Sequence, residues 1–128
     1  MWQTYATHLS CHLGSSTIDP ATSLAIGKAV AATTPSTGTP PRFYDAPVSG
    51  GTTGASEAIL TFMVSAAPNN PYFPLLKEMF SYMGTSIHAL GGPSLGLAAK
   101  LSNNHLSGMI ALATAEAKIE LITGTRKP

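Results

Sequence analysis

Apolar positions along the chain change period several times, and each change marks an element. The opening, Met1 to Leu13, holds Trp2, Tyr5, His8, Cys11 and His12 with neither a helical nor a strand period, so its structure stays open. At Ser16-Thr17-Ile18-Asp19-Pro20 the signals change: Asp19 can cap a helix, and Pro20 can occupy its first turn without losing a needed donor. A helix is therefore predicted over about 20–32, with Leu24, Ile26, Ala29 and Val30 apolar. A loop follows from Thr33 to Pro41, where Pro40-Pro41 forbids helix or inner strand. Phe43 to Val48 reads as a short strand ending in the turn Ser49-Gly50-Gly51, and Leu60-Thr61-Phe62-Met63-Val64 as a second strand, with a glycine-bearing loop between them. Asn69-Asn70-Pro71 opens another predicted helix, running to Met83 with Phe73, Leu76 and Phe80 on related faces and stopped by Gly84. Ser86 to Leu90 is a candidate third strand. From about Ser94 to Ile122 no proline occurs, and Ala and Leu predict one long helix, softly broken at most by Gly108, of roughly 40 Å. Its Leu101, Leu106, Met109, Ile110, Leu112, Ile119 and Ile122 spread around much of the circumference, so it calls for neighbours on several sides.

Composition narrows the class. A hydrophobic fraction of 44% over 128 residues supports a core, while a charged fraction of only 10% leaves much of the surface neutral. Net charge is +1 with no basic run, so neither nucleic acid nor an acidic membrane surface is expected as a partner. No apolar run reaches the roughly 18 residues of a membrane span. Cys11 is the single cysteine, which fits a reducing compartment, and no targeting signal is legible at the start. His8, Cys11 and His12 lie on one short segment without the further ligands that close a zinc site, so no metal is expected. Neither an internal repeat nor another low-complexity tract is found.

Three stretches, in order, carry a resemblance: SSTIDP (Ser15 to Pro20), DAPVSGG with LTFMV (Asp45 to Gly51 and Leu60 to Val64), and GLAAKLSNN (Gly96 to Asn104). Together they resemble the β-hydroxyacid dehydrogenase family, in its 3-hydroxyisobutyrate dehydrogenase branch, over roughly 15–117. The resemblance implies an α/β fold: the C-terminal part of a Rossmann-type NAD(P)-binding domain over 15–93, after a divergent segment 1–14. A long interdomain helix over 94–128 would open a helical domain. It implies an oxidoreductase that moves hydride between NAD or NADP and a short β-hydroxy acid, as in valine catabolism. Lys100 matches the family's catalytic lysine, and an ammonium there can pass a proton and stabilise an alkoxide. Asn104, four residues on, shares its helical face and would hold substrate. A lone lysine is usually a solvated surface group; the motif around Lys100 changes that reading. Ser49, Gly50 and Gly51 match the turn that receives the substrate carboxylate, since glycines let backbone donors approach an anion closely. Thr17 matches a position beside the nicotinamide end of the cofactor, where the residues alone read simply as a helix cap. Asp45 opens the substrate motif and is expected to order the turn, not to act as an acid. His105 projects about 100° from Asn104 and reads as a solvent-facing or packed residue, as does His88.

The departures matter as much. The G-x-G-x-x-G cradle that brings pyrophosphate to a helix N-terminus is absent. Ser65-Ala66 stands where the family usually has a glycine pair, and Ala58 where it usually has a glycine. The 6-phosphogluconate dehydrogenases, a sister family, share the SGG turn and the lysine but usually place His three residues after it; here that residue is Asn103. The expectation is thus a fragment with negligible turnover alone. The alternatives are a 6-phosphogluconate dehydrogenase-like member, or a non-catalytic piece that associates through its long helix, as a homo-oligomer or with a partner. Family location would be mitochondrial, otherwise cytoplasmic.

Overall fold

The computed structural model describes residues 10–33 and 40–124, so the opening reading at Trp2, Tyr5 and His8 and the middle of the Thr33–Pro41 loop lie outside the described residues. The elements run β1 (Cys11–Gly14), α1 (Pro20–Ala32), β2 (Arg42–Asp45), β3 (Val48–Ser49), α2 (Gly51–Ser56), β4 (Leu60–Val64), α3 (Phe73–Ser81), β5 (Gly84–Ala89) and α4 (Leu95–Thr123). β1 pairs with β2 in parallel, Gly14 opposite Asp45. β3 pairs antiparallel with β4, Ser49 opposite Thr61, and β4 pairs in parallel with β5. Parallel pairing needs a crossover, which α1 and α3 supply. The Ser65 N–H donates to the Asp45 carbonyl at 2.9 Å and the Met63 N–H to the Pro47 carbonyl at 3.0 Å, joining the two ribbons into one α/β layer.

Strand alternation sorts the two faces of this layer. Tyr44, Ala46, Phe62, Val64 and Ala66 bury against Leu76 and Phe80 of α3. Phe62 and Phe80 stack with ring centroids 4.3 Å apart. Burying a side chain such as Phe80 stabilises the fold by about 2–3 kcal/mol. The other face carries Asp45, Thr61, Met63 and Ser65; against it lie Ser23 of α1 and the first turn of α4.

Several boundaries differ from the sequence expectation. Cys11–Gly14, whose structure the sequence left open, is a strand because β2 offers it a ladder, not because of its own pattern. The predicted 43–48 strand divides into β2 and β3 at Ala46-Pro47. The glycine-bearing loop contains the short helix α2. α3 begins at Phe73, not Asn69, because the Asn70 side chain accepts from the Tyr72 N–H at 2.9 Å and holds a turn ahead of it. Gly84 opens β5 instead of ending α3, and a Cβ there would lie 2.2 Å from the Leu60 carbonyl oxygen. α4 spans 29 residues unbroken through Gly108, yet only Gly96 and Leu97 of it are buried.

Candidate active site

Ser49, Gly50 and Gly51 form the link from β3 into α2, and both glycines sit at positive φ, 136° and 64°. The value at Gly50 suits glycine alone, and neither glycine has a side chain of its own to cover its backbone donor. Ser49 faces Thr61 across the β3–β4 ladder. Directly paired residues share a face, and Thr61, Met63 and Ser65 alternate onto the side of the sheet that receives α4. Gly96 marks how closely α4 approaches: a Cβ there would lie 2.2 Å from the Met63 carbonyl oxygen. Lys100 follows one turn later on the same side of the helix, about 6 Å further along its axis. The first turn of α4 and the SGG turn are therefore anchored to neighbouring residues of one strand, on one face. Lys100 is part-buried, and Asn104, the next turn on, is exposed.

The sequence reading missed what holds this arrangement. Asp45, 3% exposed, accepts from four donors. Its Oδ1 takes the Ser65 hydroxyl and, at 3.0 Å, the Leu97 N–H. Its Oδ2 takes the Ser94 N–H at 2.9 Å and the Ser23 hydroxyl at 3.3 Å. The Ser65 oxygen accepts in turn from the Gly96 N–H at 2.8 Å. The serine in place of the family's usual glycine is thus built into the network. An aspartate inside a strand is disfavoured unless something uses it, and that was the available signal. Among the described residues no buried side-chain nitrogen or oxygen lacks a partner.

Thr17 is exposed in the loop from β1 to α1. The first residue of α1, after that loop, is tied to the Asp45 corner, because the Ser94 hydroxyl donates to the Pro20 carbonyl at 3.2 Å. No G-x-G-x-x-G cradle for a dinucleotide pyrophosphate occurs in the sequence. A groove of about 700 Å³ opens between α1, β2 and the Gly91–Ser94 loop, lined by Lys28, Arg42 and Asn70 among others; none of Thr17, Ser49, Gly50, Gly51, Lys100 or Asn104 lines it. Arg42 there sits 4.6 Å above the Tyr72 ring. Burial pushes the Cys11 thiol above its ordinary range, with Arg42 opposing. His88 and His105 are both exposed.

Residues 7–92 match the family model described as the NAD binding domain of 6-phosphogluconate dehydrogenase. The chain is 38% identical over 105 residues to human mitochondrial 3-hydroxyisobutyrate dehydrogenase, which covers 82% of this chain and 29% of that protein. It superposes on Mycobacterium tuberculosis 3-hydroxyisobutyrate dehydrogenase with L-serine at a TM-score of 0.73 and 28% identity, covering 89% of this chain and 37% of the other. A structure described as Psf3 in complex with NADP+ and 2-OPP gives a TM-score of 0.71 at 25% identity, covering 91% and 38%. The chain thus spans about 29% of the length of the human relative. The family match over residues 7–92 and the shared α/β fold place the chain in the family of the 6-phosphogluconate dehydrogenase NAD-binding domain, and within it the chain is similar to 3-hydroxyisobutyrate dehydrogenases.

Proposed function

We propose that this chain carries the substrate side of an NAD(P)-dependent 3-hydroxyisobutyrate dehydrogenase-type site. The observation behind the reading is the shared face of β4, on which Ser49 is paired and α4 is seated. The Ser49 hydroxyl and the N–H groups of Gly50 and Gly51 receive the carboxylate of a short β-hydroxy acid. The Lys100 ammonium faces the hydroxyl oxygen, takes or returns its proton and offsets charge as the alkoxide develops. Asn104 holds the substrate from the next turn, and Thr17 borders the nicotinamide end of the cofactor. Nicotinamide, when bound, supplies or accepts the hydride. The human relative's name places that protein in mitochondria, and the same location and a role in valine catabolism are proposed here.

Because no pyrophosphate cradle is present, the isolated chain is expected to bind the hydroxy acid weakly and to turn it over negligibly. Saturation-transfer NMR with 3-hydroxyisobutyrate, and NADH formation in the same sample, test both halves. Contact with the acid that is lost in Lys100→Ala, without NADH formation, is expected. Robust NADH formation contradicts the account of the missing cradle, and contact unchanged in Lys100→Ala contradicts the site. A second reading, a non-catalytic piece that associates through α4, draws on a different observation: residues 101–124 are all exposed. Size-exclusion chromatography discriminates, since a compact monomer removes the reason for it.

A further inference from the structure

We infer that Asp45 is the positioning residue of this site: with the Ser65 hydroxyl it caps α4 from the sheet and so fixes where Lys100 stands relative to the Ser49 turn. This rests on the proposed roles of Lys100 and Ser49. A helix leaves its first N–H groups without intrahelical partners, and a residue at its N-cap normally supplies an acceptor. α4 has no such cap, because Ser94 is in the left-handed region at φ 66° and its side chain makes no capping bond. The acceptors come from β2 and from the end of β4 instead. Asp45 takes the Ser94 and Leu97 N–H groups, and Ser65 takes that of Gly96.

Only a carboxylate fits this role. All four donors converge on its two oxygens, whereas an amide would turn an NH₂ group toward two of them. Its negative charge also complements the positive end of the α4 dipole. The anchor matters because little else holds the helix: among the described residues of α4 only Gly96 and Leu97 are buried. Lys100 stands about 6 Å beyond the anchor, so a tilt of about 20° there moves its backbone by about 2 Å. Misplacements of about 1 Å can already cost about a hundredfold in a reaction that depends on orientation.

Backbone residual dipolar couplings and a 3-hydroxyisobutyrate titration on the labelled 128-residue chain test the role. In Asp45→Asn, α4 is expected to stay helical while its couplings cease to fit the alignment shared by β4 and β5. The amide protons of Ser94 and Leu97 move upfield, and affinity for the acid falls by about tenfold. Ser65→Ala should produce a smaller loss of common alignment, and Ser65→Thr should restore it. Asp45→Asn with unchanged alignment and affinity overturns the inference. Should that variant fail to fold, the serine pair decides: loss in Ser65→Ala with recovery in Ser65→Thr upholds the role, and no change in either overturns it. If the wild-type chain shows no response to the acid, the substrate reading falls, while the couplings still uphold or overturn the positioning role.

Discussion

Two residues show how a single backbone position carries consequence here. Ala58 sits at φ 55°, a left-handed conformation that costs a residue with a Cβ about 1–2 kcal/mol. It occupies the position where family resemblance expects glycine, so the strain was legible in the residue identity once the motif was aligned. Ala58→Gly is expected to stabilise the chain by about 0.5–1 kcal/mol, the relief of strain being partly offset by the freer unfolded chain; urea unfolding measures it. Gly96 is the opposite case. Its missing Cβ would meet the Met63 carbonyl oxygen at 2.2 Å and Asp45 Oδ1 at 2.7 Å, both parts of the framework that cannot yield cheaply. Gly96→Ala should destabilise by about 1–3 kcal/mol and displace α4, read as a lower unfolding midpoint with loss of the Leu97 amide's exchange protection. The network around Asp45 was legible only as an aspartate placed inside a strand; its serine partners were not, because they come from separate segments and no local pattern reports such a meeting.

Among the elements, α1 was the most legible. Asp19 and Pro20 announced its start, and Asp19 does accept from the Thr22 N–H at 2.9 Å. Hydrogen bonding from the Thr22 side chain, and then from its N–H, holds the Asp19 carboxyl below its ordinary value of 3.8. A carboxyl depressed in the folded state stabilises above the unfolded value, and that contribution is lost as pH falls from 3.8 through the lower folded value. Exchange protection of the Thr22 amide should therefore decline below about pH 4 in the wild type. Asp19→Asn should keep its protection across that window, and a decline there identical to wild type would contradict the cap. β1 and α2 were not legible. CHLG has too little alternation to declare a strand, and GTTGAS has two glycines and two threonines, poor helix formers; each element exists because its neighbours fix it. The division between β2 and β3 was also hidden, since Ala46-Pro47 reads as a continuous extended run until the ladder partners change from β1 to β4.

Viewed whole, the molecule has a small core and a long exposed arm. Along α4, Leu106 and Ile119 are each 60% exposed and Leu121 84%. The sequence signalled this through apolar residues around much of the circumference of one proline-free stretch, though it could not say that the described residues cover only the first turn. Self-association that grows with concentration is expected in sedimentation velocity, and charged substitutions at Leu106 and Ile119 should suppress it without shifting the unfolding midpoint. In the core, Phe80→Ala removes the ring stacked on Phe62 and should cost about 3–5 kcal/mol, enough to unfold much of so small a domain.

The most direct test of the whole account is a two-dimensional amide NMR titration of the labelled chain with 3-hydroxyisobutyrate. Resonances of Ser49, Gly50 and Gly51 should move together with those around Lys100, along one binding curve, because a single ligand bridges the turn and the helix. Shifts confined to one of these segments, or two curves with different midpoints, would mean that β4 does not hold the two motifs to a common substrate.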